Sequence, residues 1–327
     1  MKKTAIFLCI MLCFSLFAGC SKAGKKNTAE EEIILNIAYQ YGLAYAPAVI
    51  CQEEGFIEKA YLDTTGKKVT VQWHQMSSGA DINTGIASGS IDAGFMGIAP
   101  AITGITKKVG YKIFTNLSGQ RHGIMTNDPS LNSIADLIGS SKQIALVNIG
   151  SFQHLILAKA LADNGYDANS LDSNIVIMKH PDGKTALESG NVSCHLTTSP
   201  YIYKEFDNPS LHELPEVNNT WGSDSSFIIG VASESIFNEN QALYNALCSG
   251  IERGIDEINT SIETAAAITS KYDGNSLEEE ISYLKKGKYS VQTKDLLSLA
   301  QFMSSNGFVA TQINSYSELV FDNVKGD

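Results

Sequence analysis

The sequence predicts an α/β protein with two similar lobes, followed by a helical C-terminal part. Predicted strands and helices alternate from residue 33 to residue 107, and the same alternation returns between residues 144 and 197. From about Glu239 onward, apolar residues recur at spacings of three and four, which is the period of an amphipathic helix. Alternating strands and helices indicate parallel sheets covered by helices, because parallel strands need long crossover connections.

The two alternating regions share their order of elements. The first region has predicted strands at 33–39, 69–73 and 91–95, and predicted helices at 47–54, 79–87 and 99–107. The second has predicted strands at 144–147, 175–178 and 192–197, and predicted helices at 151–164 and 184–189. Residues 87–92 (Ala-Ser-Gly-Ser-Ile-Asp) parallel residues 188–193 (Glu-Ser-Gly-Asn-Val-Ser) at a constant offset of 101. We therefore expect two Rossmann-like lobes.

The chain is expected to cross between the lobes twice. Lobe one is predicted to comprise residues 33–118 and 222–327, and lobe two residues 119–221. A strand at 227–231 returns the chain to lobe one, and the helices that follow are predicted at 240–259, 261–271, 277–286 and 294–305. These helices contain no cluster of residues typical of a catalytic site.

The N-terminus has the pattern of a bacterial lipoprotein signal. Lys2 and Lys3 precede a short apolar run, and small residues then lead to Cys20. The segment resembles a lipobox, although Phe17 stands where that pattern usually has Leu. We expect a signal peptide at 1–19, a lipid on Cys20, a polar tether over 20–32, and a location at the extracytoplasmic face of the cell membrane. The alternative is an ordinary signal peptide with a chance cysteine.

Charge and motifs exclude several function classes. The net charge is −11, from 35 acidic and 24 basic residues, and no Lys/Arg run offers a surface for nucleic acid. The sequence has no GxxxxGK[ST], HExxH or GxSxG motif, so we expect no catalytic residue, no cofactor and no metal. Cys51, Cys194 and Cys248 have no metal-binding spacing and are expected to be small core residues. A Cys51–Cys248 bridge stays open as an alternative.

Four blocks of sequence resemble a known family. They are residues 39–59, 85–101, 133–151 and 187–190, in that order along the chain. Together they resemble the substrate-binding proteins of ABC importers, in the group for nitrate, sulfonates, taurine and thiamine precursors, and the likeness covers roughly residues 33–235. The resemblance implies a type II periplasmic-binding-protein fold, a ligand held between the lobes, and an ABC permease and its ATPase as partners.

The loops that follow the predicted strands are the candidate ligand-binding positions. In parallel sheets, ligands collect at the carboxyl ends of strands, where helix N-termini favour an oxyanion. The candidates in these loops are Tyr41, Gln75, Ser77, Ser78, Gly79, Gly97, Ile98, Gly150, Ser151 and Thr198. The alternative for the Ser and Gly residues is that they only cap helices and form turns.

Two further candidates lie near the predicted crossings. Arg121 offers a bidentate fork for a sulfonate or carboxylate, and its alternative role is an ion pair. Its neighbour His122 is a weaker candidate. Trp221, with Tyr41 and Trp73, would stack on a planar ring, and core packing explains each Trp equally well.

The sequence therefore predicts a monomeric, non-enzymatic protein that closes its two lobes on a small anionic solute of the sulfonate, taurine or nitrate type. Three alternatives stay open. The first is that the solute is a pyrimidine precursor of thiamine. The second is that the protein is a dehydratase of related fold, and the third is that it is a sensor that presents its ligand to a signalling partner.

Overall fold

The computed structural model describes residues 33–327. The predicted signal peptide, Cys20 and the tether lie outside the described residues. Between residues 33 and 327, no helix is long and apolar enough to cross a membrane.

Eleven strands form within the described residues. They are β1 (Ile33–Tyr39), β2 (Val69–Gln75), β3 (Ala93–Gly97), β4 (Tyr111–Gly119), β5 (His122–Thr126), β6 (Ile144–Leu146), β7 (Ile175–Ile177), β8 (Cys194–Thr198), β9 (His212–Leu214), β10 (Ile228–Ser233) and β11 (Lys288–Tyr289).

Thirteen α-helices accompany these strands in the same part of the chain. They are α1 (Ala46–Glu54), α2 (Phe56–Thr65), α3 (Gly79–Ser88), α4 (Ile98–Thr106), α5 (Phe152–Asp163), α6 (His180–Glu188), α7 (Tyr201–Phe206), α8 (Glu216–Thr220), α9 (Glu234–Glu239), α10 (Gln241–Thr260), α11 (Ile262–Asp273), α12 (Leu277–Leu284) and α13 (Leu296–Ser305).

Two sheets give the molecule its two lobes, which confirms the predicted fold class. The sheet of lobe one has the order β11-β4-β10-β3-β1-β2, and that of lobe two has the order β7-β6-β8-β5-β9. Apart from the short β11, the two orders are equivalent. In each lobe the first strand lies between the second and the third, paired in parallel with both, and one antiparallel strand pairs with the third. That antiparallel strand is β10 in lobe one and β5 in lobe two.

The third strand of each lobe begins two residues later than predicted, and both errors have one cause. The Ile91 amide donates to the Gly85 carbonyl (3.1 Å) and the Val192 amide to the Ala186 carbonyl (3.3 Å). These bonds close the C-terminal ends of α3 and α6, in the manner of a helix C-cap. The apolar residues that suggested the start of a strand therefore belong to the helix ends.

The helix α2 was missing from the prediction. Gly55 was read as the end of a helix, and it does end α1, in a left-handed conformation with φ of 59°. The chain then starts a second helix at once, which buries Phe56, Ile57 and Tyr61. The long helix α10 packs across α1 and α2, and Gly250 allows the close approach, because a Cβ there would lie 2.5 Å from Ile57.

The three cysteines of the described part are free, so the alternative Cys51–Cys248 bridge is wrong. Cys51 and Cys194 are buried and Cys248 is partly buried. Burial raises the pKa of the Cys194 thiol to about 11 and that of Cys248 to about 12. Both thiols therefore stay protonated and act as small core groups.

The C-terminal helices of lobe one also contact lobe two. The Tyr203 ring on α7 stacks on the Tyr283 ring on α12, with centroids 5.8 Å apart. Lys286 Nζ lies 4.1 Å from the Tyr203 ring centre, and Lys204 Nζ donates to Asn275 Oδ1 at 2.9 Å. We call these five side chains the latch, because they join the two lobes away from the chain crossings.

Candidate functional site

The carboxyl ends of the parallel strands of both sheets lie on the sides of the lobes that contact each other. In lobe one, β1, β2 and β3 end at this edge, and α1, α3 and α4 begin there. In lobe two, β6, β7 and β8 end at the facing edge, where α5, α6 and α7 begin. We call the region between these edges the cleft. The chain crosses it at residues 119–122 and again at 221–227.

Aromatic side chains pack the centre of the cleft. The Phe152 ring of lobe two lies 5.0 Å from the Phe227 ring and 5.6 Å from Trp221. A Cβ at Gly97 would lie 3.5 Å from Phe152, and the Ile98 amide donates to the Phe227 carbonyl at 2.9 Å. Gly97 thus lies against Phe152 of lobe two, while Ile98 is bonded within lobe one and Trp221 packs within lobe two. The contact of these three residues with a ligand stays a prediction.

His122 lies in the same centre without a hydrogen bond. Its ring is fully buried, 4.9 Å from Phe152 and 4.4 Å from Phe227. Neither ring nitrogen has a partner among the described residues. Burial, aided by the neighbouring His180, lowers the pKa of His122 to about 3, so its imidazole is neutral. One buried donor and one buried acceptor therefore remain unsatisfied, which is costly for a folded protein.

A chain of hydrogen bonds runs from the cleft into lobe two. Gln153 Nε2 lies 3.5 Å from His180 Nε2, and His180 Nδ1 lies 3.1 Å from His195 Nε2. His195 Nδ1 in turn lies 2.6 Å from Glu205 Oε1. Burial raises the pKa of Glu205 to about 8 and lowers those of His180 and His195 to about 3. At neutral pH the chain is therefore uncharged, with a proton on Glu205.

The Arg121 guanidinium forms its hydrogen bonds with side chains of its own lobe, lobe two. Nη2 donates to Glu213 Oε2 at 2.6 Å, Nη1 donates to Asn218 Oδ1 at 2.9 Å, and the group lies over the Phe206 ring. Burial raises the pKa of Glu213, and Arg121 opposes that shift. Both ends of the fork thus have protein partners, as in the ion-pair alternative. Direct contact of Arg121 with a ligand stays a prediction.

The predicted Ser and Gly residues form caps and close contacts. Ser78 Oγ accepts the Asp81 amide at the start of α3, and Ser151 Oγ accepts the His154 amide at the start of α5. Gly150 has a φ of 76°. A Cβ at Gly79 would meet the Pro100 side chain at 2.6 Å, so Gly79 allows α3 to pack on α4.

Two more of the predicted residues differ in exposure. Ser77 is exposed before the cap. Thr198 is buried, and its hydroxyl donates to the Arg121 carbonyl at 3.2 Å. A ligand contact of either residue stays a prediction.

A pocket opens on the lobe-one side of the cleft, and we call it the front pocket. Its lining residues are Tyr39, Gln40, Tyr41, Gly42, Ala46, Val49, Gln75, Thr269, Tyr272 and Asp273. Two of the predicted site residues, Tyr41 and Gln75, lie here. Thr269, Tyr272 and Asp273 are not among the candidates that the sequence predicts, because they come from α11, which follows the alternating region and carries no recognisable motif.

The front pocket has a distinct charge pattern. No Lys or Arg is among its lining residues. Burial and the neighbouring Glu280 raise the pKa of Asp273 to about 7, and Lys204 opposes that shift. The Tyr272 hydroxyl donates to Glu53 beside the pocket. Across residues 33–327, no three His, Cys, Asp or Glu side chains converge in a way that suits a metal ion.

Comparison with known proteins agrees with this geometry. The chain is 22% identical over 305 residues to the taurine-binding periplasmic protein of Escherichia coli K12, which covers 88% of this chain and 91% of that protein. The alkanesulfonate-binding protein SsuA of Xanthomonas axonopodis pv. citri, solved with bound MOPS, superposes with a TM-score of 0.71 at 15% identity, covering 91% and 100% of the two chains. The aliphatic sulphonate-binding protein SsuA of Escherichia coli gives 0.68 at 19% identity, covering 89% and 93%.

These matches confirm the predicted resemblance to substrate-binding proteins and the periplasmic-binding-protein fold that it implies. The sequence profile of the NMT1-like family matches residues 28–206, more than half of the chain. The chain therefore belongs to the NMT1-like family.

Proposed function

We propose that this protein is an extracytoplasmic solute-binding protein, which captures a small polar or anionic solute in the cleft and delivers it to the permease of an ABC importer. The proposal rests on one observation. The carboxyl ends of the parallel strands of both sheets meet at one cleft, and the chain crosses that cleft twice. The names of the relatives support a solute of the sulfonate or taurine type.

Closure of the two lobes is the proposed mechanism. We take residues 33–118 and 222–327 as lobe one and residues 119–221 as lobe two, so the two crossings form the hinge. A solute that touches both lobes stabilises the closed state, because only that state makes both sets of contacts. The latch adds contacts of the same kind, since Tyr203 and Lys204 of lobe two meet Tyr283 and Asn275 of lobe one.

Binding without catalysis is the proposed activity. The named relatives are binding proteins. The titratable groups of lobe two hydrogen-bond to one another, and the Cys194 thiol is buried with a raised pKa, so it is a poor nucleophile. The candidates for direct ligand contact are the residues of the front pocket and the neighbouring strand ends.

The lipid anchor completes the proposal. Cys20 carries the lipid, residues 20–32 form the tether, and the folded part acts as a monomer at the outer face of the membrane, where a permease and its ATPase receive the solute. Metabolic labelling with a radioactive fatty acid tests the anchor, since Cys20→Ser abolishes the label if Cys20 is its site.

A thermal-shift panel tests the solute class. The purified protein is heated with taurine, alkylsulfonates, nitrate, hydroxymethylpyrimidine and thiamine, in a buffer without a sulfonate. A ligand at 100 times its Kd stabilises the folded state by about 2.7 kcal/mol. A shift with sulfonates or taurine supports the proposal. A shift with the pyrimidine alone favours the thiamine-precursor alternative, for which the tyrosines of the front pocket offer stacking surfaces.

A further inference from the structure

We infer that the front pocket binds a positively charged group, so that the solute carries an ammonium group as well as its anionic group. The inference rests on the proposed function, because it specifies the solute class of the same cleft. Three features of the pocket carry it: aromatic ring faces, a carboxylate without a protein partner, and two helix ends of opposite polarity.

The aromatic feature consists of Tyr39, Tyr41 and Tyr272, which line the pocket together. A cation is attracted to the electron-rich face of a tyrosine ring, and grouped aromatic rings are a common way to bind ammonium ions. Tyr39 is 4% exposed, and its hydroxyl forms no hydrogen bond to any residue in the described part of the chain. Tyr41 is 66% exposed, so its ring is free to meet a ligand.

The carboxylate feature is Asp273. Within residues 33–327 its side chain forms neither a hydrogen bond nor an ion pair, whereas the nearby Glu53 accepts a hydrogen bond from Tyr272. The lining of the pocket brings no Lys or Arg to neutralise Asp273. A half-buried carboxylate is costly unless it is paired. An ammonium group in the pocket supplies the missing partner.

The helix ends explain how one pocket accepts both charges of a zwitterion. Ala46 lies at the N-terminus of α1, where the backbone dipoles leave partial positive charge. Tyr272 and Asp273 lie in the last turn of α11, where the partial charge of the backbone is negative. A solute with an anionic group toward α1 and an ammonium group toward α11 therefore matches both ends.

Side chains of lobe two also lie near Asp273. Burial raises the pKa of Tyr201, the first residue of α7, and the nearby Asp273 charge adds to that rise. The Tyr201 ring also stacks on His180, the first residue of α6. A cation bound by Asp273 thus lies at the face that lobe two covers, which links its recognition to closure.

Isothermal titration with matched solutes tests the inference. Taurine is compared with isethionate, which has a hydroxyl in place of the ammonium group, and β-alanine with propionate. Choline serves as a cation without an anionic group. We expect each ammonium-bearing member to bind at least about tenfold more tightly than its partner. Asp273→Asn is expected to weaken the ammonium-bearing members and so remove that difference.

Two further variants serve as a control and as a second test of the front pocket. Asp256→Asn removes an exposed carboxylate of α10 that does not line the pocket, and it is expected to leave every affinity unchanged. Tyr41→Ala changes an exposed ring, so it preserves folding and weakens the ammonium-bearing solutes selectively. Equal binding of taurine and isethionate, with no effect of Asp273→Asn, overturns the inference and leaves the proposed function standing. Absence of binding by every member of the panel contradicts both.

Discussion

The two lobes have equivalent sheets, yet the ionisable side chains at their cleft edges differ in whether they are bonded to protein partners. In lobe two several ionisable side chains are bonded to one another, as in the chain from Gln153 to Glu205 and the Arg121–Glu213 pair, although His122 and Ser199 keep buried polar atoms without a partner. In lobe one the Tyr39 hydroxyl and the Asp273 carboxylate have no partner among the described residues. A bonded group is already satisfied, while an unpaired one gains from a ligand. The Asp273 carboxyl thus lies in the front pocket without a hydrogen bond, while the Arg121 guanidinium of lobe two is already bonded to Glu213.

The comparison of the two lobes also bears on the role of Arg121, which lies near the hinge. A guanidinium can bind a sulfonate through two hydrogen bonds. The two Nη atoms of Arg121, however, already donate to Asn218 and Glu213. The Asp273 carboxyl of lobe one, which no motif indicated, forms no ion pair, although the nearby Lys204 opposes the rise of its pKa. Charge type alone does not identify a binding residue, because its partners in the fold decide whether it is available.

The largest expected effect is the loss of stability in Arg121→Ala. The change leaves the largely buried Glu213 carboxylate without its partner, and we expect a loss of about 2–4 kcal/mol in the free energy of unfolding, with less than a threefold change in solute affinity. Chemical denaturation and titration calorimetry measure the two quantities. Lys159→Ala, which removes an ion pair with the exposed Asp163 carboxylate, is the matched control, and loss of that pair costs about 0.3–0.5 kcal/mol. A large loss of affinity with unchanged stability contradicts the assignment of Arg121 to lobe two.

The hydrogen-bonded chain of lobe two predicts how stability depends on pH. The pKa of Glu205 is about 8 in the folded protein, above its unfolded value of 4.5, so the folded state binds the extra proton and stability falls as pH rises toward 8. The pKa values of His122, His180 and His195 are about 3, below 6.5, so stability also falls as pH drops below 6.5.

Stability should therefore be greatest near pH 6.5, with a loss of about 2 kcal/mol between pH 6.5 and pH 8 from Glu205. Glu205→Gln removes most of that alkaline loss, because an amide does not ionise. Denaturation curves across this range measure both slopes. A variant that keeps the full alkaline loss shows that Glu205 is already ionised at neutral pH.

His122 is one of the buried polar side chains of lobe two that have no partner, and its replacement tests what such a group costs the fold. Both ring nitrogens are buried and unpartnered, so His122→Phe should raise the free energy of unfolding by about 1 kcal/mol in the ligand-free protein. Thermal and chemical denaturation measure the change. A loss of stability instead shows that the imidazole has a partner in solution. A gain in stability together with lost solute affinity makes His122 a ligand contact of lobe two.

The smallest expected effect concerns the latch. Tyr203→Ala removes the stack on Tyr283, which contributes about 0.5–1.5 kcal/mol to the closed state, so we expect solute affinity to fall roughly three- to tenfold. Tyr166→Ala changes an exposed tyrosine of lobe two that lies outside the latch, and it is the control. Titration calorimetry on both variants provides the measurement. Equal effects of the two changes show that the latch does not contribute to closure.

The sequence predicted the repeated part of the fold well, because local signals determine it. The bounds of β1 match the prediction, and Gly89 and Gly190, at the predicted offset, both adopt the left-handed conformation that ends a helix, with φ of 75° and 76°. The residues at strand ends were identified for the same reason, and Tyr41 and Gln75 do line a pocket.

The remainder of the site depends on contacts between distant parts of the chain. Asp273 reaches the pocket only because α11 packs against α1, and no pattern near residue 273 indicates that neighbour. The partners of Arg121, namely Glu213 and Asn218, lie more than 90 residues away, so the ion pair was one of two alternatives until the fold placed them together. Local periodicity thus predicts elements, while tertiary packing decides which polar groups are free.

A crystal structure of the protein with its bound solute tests the central claim most directly. The account predicts a solute in the cleft whose cationic group contacts Asp273 and the Tyr41 ring, while the Arg121–Glu213 ion pair stays intact. A solute whose anionic group binds Arg121, with that ion pair broken and Asp273 exposed to solvent, would contradict it.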